Sequence, residues 1–184
     1  LFPLHSTFPV LNVFRYITFR AALAALVTLS LSFIIGPYLI RSLKGSQIGQ
    51  PIREDGPDRH ASKAGTPTMG GILIIMSLVL STFLVGDITN VYVGLALAVT
   101  MAFAGIGFVD DCLKVRRQSS RGLGMWSKLV PQIAVATVAA VALLMQPDFS
   151  STVAVPFLKN VRPDFGWWYV PFAVLVVVGA SNAV

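Results

Sequence analysis

Apolar residues in this chain run on where an amphipathic helix would place a polar stripe. Residues 21–40, 64–86, 88–109, 129–147 and 165–184 contain no Asp, Glu, Lys or Arg. Each stretch has roughly the ~20 residues a helix needs to cross ~30 Å of hydrocarbon at 1.5 Å per residue. Helices of that length in a soluble protein would show a polar stripe. The pattern therefore predicts an all-α, polytopic transmembrane helix bundle with five spans, over about 17–40, 66–86, 88–109, 128–147 and 166–184. The connecting segments are then 41–65, 110–127 and 148–165, with a short turn at 86–90.

Composition supports lipid contact. Of 184 residues, 55% are hydrophobic and 12% charged, against about 25% charged in ordinary soluble domains. The net charge of +6 is unevenly placed. Arg41, Lys44, Arg53, Arg59 and Lys63 lie between spans one and two. Lys114, Arg116, Arg117, Arg121 and Lys128 lie between spans three and four. Ten of the fourteen basic residues thus fall in two loops on one side. The positive-inside rule makes 41–65 and 110–127 cytoplasmic and 148–165 external. Arg15 and Arg20 on the other side weigh against this orientation and are outnumbered. The basic residues form no aromatic-interleaved patch, so no nucleic-acid partner is expected. Cys112 stands alone, which excludes an internal disulfide.

Residues 1–16 read as an interfacial lead-in, with Phe14 and Tyr16 suited to the headgroup layer. Gly36-Pro37 is expected to kink or end the first span. Thr66 and Pro67 suit a helix cap and first turn. The outer segment 150–165 alternates weakly and predicts a small surface hairpin, followed by interface residues Trp167, Trp168 and Tyr169. The chain opens on Leu1 rather than Met and stops within an apolar run. Both ends look cut, so the expectation is the N-terminal half of a longer protein, inactive alone.

Two clusters carry candidate chemistry. Asp110-Asp111-Cys112-Leu113-Lys114 follows 22 uncharged residues. Charge at that depth is expensive and needs a reason. On a continuing helix Asp110 and Lys114 share a face, and Arg117 and Arg121 extend it. The group is either an acid–base pair closing a helix at the interface or a phosphate-handling site. In the second case the carboxylates hold Mg²⁺ or accept a proton, and the cations meet phosphate oxygens. The other cluster is Ser62-Lys63 leading into a Gly-rich helix start. Free N–H groups, the helix dipole and Lys63 suit an anion there. A flexible loop with glycines for helix packing accounts for it equally well. His60 has no metal-spaced partner, and Gly105-x-Gly107 lacks the βαβ setting of a dinucleotide site.

These residues resemble a known family. Gly49-Gln50-Pro51-Ile52-Arg53-Glu54-Asp55-Gly56-Pro57, then His60 and Ser62-Lys63-Ala64-Gly65-Thr66-Pro67-Thr68-Met69-Gly70-Gly71, resemble the first cytoplasmic loop of the phospho-N-acetylmuramoyl-pentapeptide transferases. Those enzymes sit in the polyprenyl-phosphate N-acetylhexosamine-1-phosphate transferase superfamily. Gly107-Phe108-Val109-Asp110-Asp111 with Lys114 is similar to the family's Asp-Asp motif. Arg121-Gly122-Leu123 is similar to its Lys-Gly-Leu, with Arg for Lys. Val155-Pro156-Phe157 and Ser181-Asn182-Ala183-Val184 also fit.

The resemblance implies a ten-helix enzyme of the bacterial inner membrane with its active face cytoplasmic. It implies transfer of phospho-MurNAc-pentapeptide from UDP-MurNAc-pentapeptide to undecaprenyl phosphate, giving lipid I and UMP with Mg²⁺. Membrane lipid is a further partner, and a homodimer is the candidate assembly. It places Lys63, Thr68, Asp110, Asp111, Lys114 and Lys128 in the active-site region. Asp110 and Asp111 are the catalytic candidates, Asp110 as base toward the lipid phosphate. Asp111 is a candidate metal ligand, the main ligand being expected beyond Val184. Lys63, Thr68, Lys114 and Lys128 are the substrate-binding candidates.

Two other functions compete. A sibling N-acetylglucosamine-1-phosphate transferase shares the Asp-Asp logic and is expected to differ at Thr-Pro-Thr-Met-Gly-Gly. A transporter half predicts ionisable or broken-helix sites near mid-bilayer, whereas here the ionisable residues sit at span ends.

Overall fold

The computed structural model describes residues 9–45, 70–117, 122–155 and 161–183. Among them are five α-helices: α1 Ile17–Gly45, α2 Gly71–Val85, α3 Val91–Arg116, α4 Met125–Leu144 and α5 Tyr169–Asn182. Three are long and apolar enough to cross a bilayer: Ile17–Ser42 within α1, and all of α3 and α4. α2 and α5 are apolar but shorter, at 15 and 14 residues. The helices present large apolar side chains outward, with Phe33, Ile34 and Leu175 each more than 70% exposed. None of the most apolar stretch of α3 is buried. In lipid such surface carries no hydrophobic penalty, and helix association rests on close packing and interhelical hydrogen bonds.

The chain divides into two compact units, Leu1–Gly124 and Met125–Val184. In the first, a 3-10 helix at Pro9–Arg15 leads into α1. Phe14 is buried there, edge-on to Phe19 at 5.5 Å, while Tyr16 remains exposed. α1 and α2 make the main contact of this unit. Small side chains allow it. Ser77, Ser81 and Val85 recur every four residues on the buried face of α2, the spacing that puts side chains above one another. Thr28 Oγ1 lies 2.5 Å from Ser81 Oγ, a polar tie between the two helices. At Gly36 an added Cβ would stand 3.3 Å from Leu73 Cδ2, so that position supports close approach.

Gly36-Pro37 does not break α1. The helix continues through Pro37 to Gly45, correcting the expected stop. Pro37 cannot donate a backbone hydrogen bond, but its carbonyl accepts one from Arg41 Nε at 3.1 Å. The turn from α2 to α3 is built by local hydrogen bonds. Gly86 N–H donates to Thr82 O at 2.8 Å, with no room for a Cβ. Asp87 Oδ1 accepts from the backbone N–H and hydroxyl of Thr89. Asn90 caps α3 by accepting from Tyr92 N–H at 2.9 Å.

In the second unit α4 packs on α5. Gln132, Ala136 and Ala140 form its buried face, and Val178 is buried on α5. Asn182 Nδ2 donates to Gln132 Oε1 at 2.7 Å and ties the two helices. The connection between them carries the predicted hairpin in minimal form, a single antiparallel bridge between Thr152 and Asp164. Val153 N–H donates to Pro163 O and Phe165 N–H to Ser151 O. The Asp164 carboxyl accepts from the Ser151 hydroxyl and from Gly166 N–H, and these bonds hold it below the ordinary carboxylate range. Gly166 takes the left-handed conformation at φ 48, which glycine adopts without steric cost.

Candidate active site at the end of α3

α3 does not stop at Val109. It runs on for seven residues to Arg116, so the Asp110-Asp111 pair lies within the helix, as a shared face with Lys114 requires. That continuation sets the geometry. Lys114 is one turn beyond both acids. Its Nζ lies 2.5 Å from Asp110 Oδ2 and 3.2 Å from Asp111 Oδ1. The expected Asp110–Lys114 pairing is therefore present, and the same ammonium also reaches Asp111.

The two acids differ in their surroundings. Asp110 is buried and is the only ionisable residue so classed among the described residues. Its Oδ1 accepts a hydrogen bond from Leu123 N–H at 2.6 Å. Asp111 is half-buried, and its Oδ2 has no partner among the described residues. Mg²⁺ takes oxygen ligands and commonly uses one or two carboxylates with waters and substrate phosphates. Asp111, whose carboxylate is the more exposed of the two, fits that use better than Asp110. Among the described residues no group of three or more His, Cys, Asp or Glu side chains gathers as a metal site.

Arg117 caps α3 and is exposed. Lys128 lies in the first turn of α4, half-buried. Lys63, Thr68 and Arg121 fall outside the described residues, as do the expected cap at Thr66 and the first turn at Pro67. Two contacts of the site were not foreseen. Leu123 N–H and Gly122 reach Asp110 from 13 and 12 residues along the chain; the resemblance of Arg121-Gly122-Leu123 marked this segment without giving its contact. In the second unit, apart from this site, the buried Gln132 was visible in the sequence as an amide amid apolar residues.

Comparison with known proteins bears on the same segments. The model for the family described as "Glycosyl transferase family 4" matches residues 93–184, which include α3 and its acids. The "Phospho-N-acetylmuramoyl-pentapeptide-transferase signature 1" matches residues 63–75. Proteins named phospho-N-acetylmuramoyl-pentapeptide-transferase are similar along the whole chain. That of Syntrophus aciditrophicus is 50% identical, that of Desulfatibacillum aliphaticivorans 51% and that of Oleidesulfovibrio alaskensis 48%. Each match covers 100% of this chain and 51% of the relative, so the chain spans about half the length of these relatives. With half of its residues under the family model and that signature at 63–75, the chain belongs to glycosyl transferase family 4.

Proposed function

We propose that the full-length protein transfers phospho-MurNAc-pentapeptide from UDP-MurNAc-pentapeptide to undecaprenyl phosphate, releasing UMP and forming lipid I at the cytoplasmic face of the inner membrane. One observation carries the choice of donor: the signature match over residues 63–75. The reading also takes the protein as ten-spanning, with this chain supplying the first five spans.

Within that reading each residue has a task. Asp110, buried at the cytoplasmic end of α3, accepts the proton of the lipid phosphate and so frees an oxygen to attack the β-phosphorus of the donor. The bond from that phosphorus to the UMP oxygen breaks as the new phosphate–phosphate bond forms. Lys114, whose ammonium lies between the two acids, offers positive charge to phosphate oxygens. Lys63, Thr68 and Lys128 bind the donor diphosphate and the lipid phosphate. Asp111 would hold Mg²⁺, which when bound neutralises phosphate charge during transfer.

The test is donor choice. Membranes carrying the full-length protein are given undecaprenyl phosphate and Mg²⁺ with either UDP-MurNAc-pentapeptide or UDP-N-acetylglucosamine. The reading expects UMP and a lipid-linked product with the first donor alone. Product from the second donor alone would assign the protein to the N-acetylglucosamine-1-phosphate transferases.

A further inference from the structure

At Gly122 any side chain would have to displace its neighbours. A Cβ built there would overlap the Asp110 carboxylate, standing 2.7 Å from Asp110 Cγ and 2.9 Å from Lys114 Cε. Real Cβ atoms do not approach so closely. The lysine end can swing aside. The carboxylate cannot do so freely, because it sits on a short side chain held from two directions. Lys114 Nζ holds Oδ2 at 2.5 Å, and Leu123 N–H holds Oδ1 at 2.6 Å. Other glycines on α3 contrast with this. A Cβ at Gly94, Gly105 or Gly107 meets nothing within 4 Å.

We propose that Gly122 is a positioning residue for Asp110: its lack of a side chain lets the 122–123 backbone lie against the carboxylate and aim it. Space is what the position requires, since the 122–123 peptide must come within hydrogen-bond distance of a side chain 13 residues earlier. The bond from Leu123 N–H is to a charged acceptor, the stronger class of hydrogen bond. It fixes which oxygen faces the backbone, and Lys114 fixes the other. Small misplacements of a reacting group cost rate out of proportion to their size. The inference rests on the reading in which Asp110 acts on the lipid phosphate.

The experiment compares Gly122→Ala, Asp110→Asn and the double variant in the full-length enzyme, with Gly105→Ala as control. Lipid I formation gives kcat and KM, and melting of the detergent-solubilised protein reports folding. Gly122→Ala should lose roughly 10²-fold in kcat while KM for the UDP-linked donor changes less than about threefold. In the Asp110→Asn background it should cost nothing further, because the group it positions is already disabled. Gly122→Ala activity within about twofold of the parent, beside an impaired Asp110→Asn, would overturn the inference and leave the proposed function intact. Losses that multiply in the double variant would do the same. Full activity in Asp110→Asn would remove both the reading and the inference. If Gly122→Ala does not fold, Asp110→Ala is added to clear the space. Recovery of folding supports the contact, and continued unfolding overturns it.

Discussion

Lys114 Nζ lies 2.5 Å from Asp110 Oδ2, one helical turn away. This pair has one buried member, Asp110, and one half-exposed member. Lys114 also has Asp111 at 3.2 Å, so removing the Asp110 charge leaves no buried cation unpaired. Asp110→Asn keeps the shape and one acceptor oxygen for Leu123 N–H. The full-length variant should insert and melt close to the parent protein. A loss of folded protein would show the pair to be a structural closure of α3.

The Asn182–Gln132 bond should tie α4 to α5 measurably. Interhelical hydrogen bonds in membranes average about 0.6 kcal/mol and reach roughly 1.7. Gln132→Ala, Asn182→Ala and the double variant form a cycle, read by unfolding in mixed micelles. A coupling in that range is expected, toward its upper end because Gln132 is 3% exposed. A coupling near zero would mean that each amide finds another partner.

Lys63 is proposed to meet donor phosphate as a point charge. Losing a charge-assisted contact is worth roughly 1.5–3 kcal/mol, or about one to two decades in kcat/KM. Lys63→Ala should show that loss for the UDP-linked donor with little change in melting. Unchanged kinetics would leave Lys63 a purely topological role.

The proposed orientation rests on the ten-to-four division of basic residues. Single cysteines at 53 and 117, in a background lacking Cys112, should resist a membrane-impermeant thiol reagent added outside the cell. Cysteines at 87 and 159 should react. The reverse pattern would invert the topology and place Asp110 on the wrong face for a nucleotide-linked donor.

The sequence made the apolar runs and the Asp110–Lys114 spacing legible, because both follow from helix geometry alone. It left the end of the α3 helix open. A rule that ends a span at the first charge marks where the hydrocarbon ends, yet backbone hydrogen bonding continues to Arg116. Pro37 misled for a similar reason: its missing N–H is tolerated where a helix is supported by a packed neighbour, here α2. The seat of Asp110 at Gly122 and Leu123 was hidden because it joins residues 13 apart in sequence through a loop. No periodicity reports such a contact. The Gln132–Asn182 tie spans 50 residues and depends on which helices pair, which hydropathy does not encode.

Lipid I synthesis by isosteric variants decides whether Asp110 does chemistry at the end of α3. Full-length protein carrying Asp110→Asn or Asp111→Asn is assayed in membranes for lipid I formation from UDP-MurNAc-pentapeptide and undecaprenyl phosphate across a Mg²⁺ titration. Removal of a general base typically costs ~10²–10⁴ in rate, so Asp110→Asn should fall by that much at every Mg²⁺ concentration. Asp111→Asn should fall as well and recover in part at high Mg²⁺, as expected of a lost metal ligand. Near-parental rates in both variants would contradict the account and leave Asp110–Lys114 as an ion pair that ends a helix.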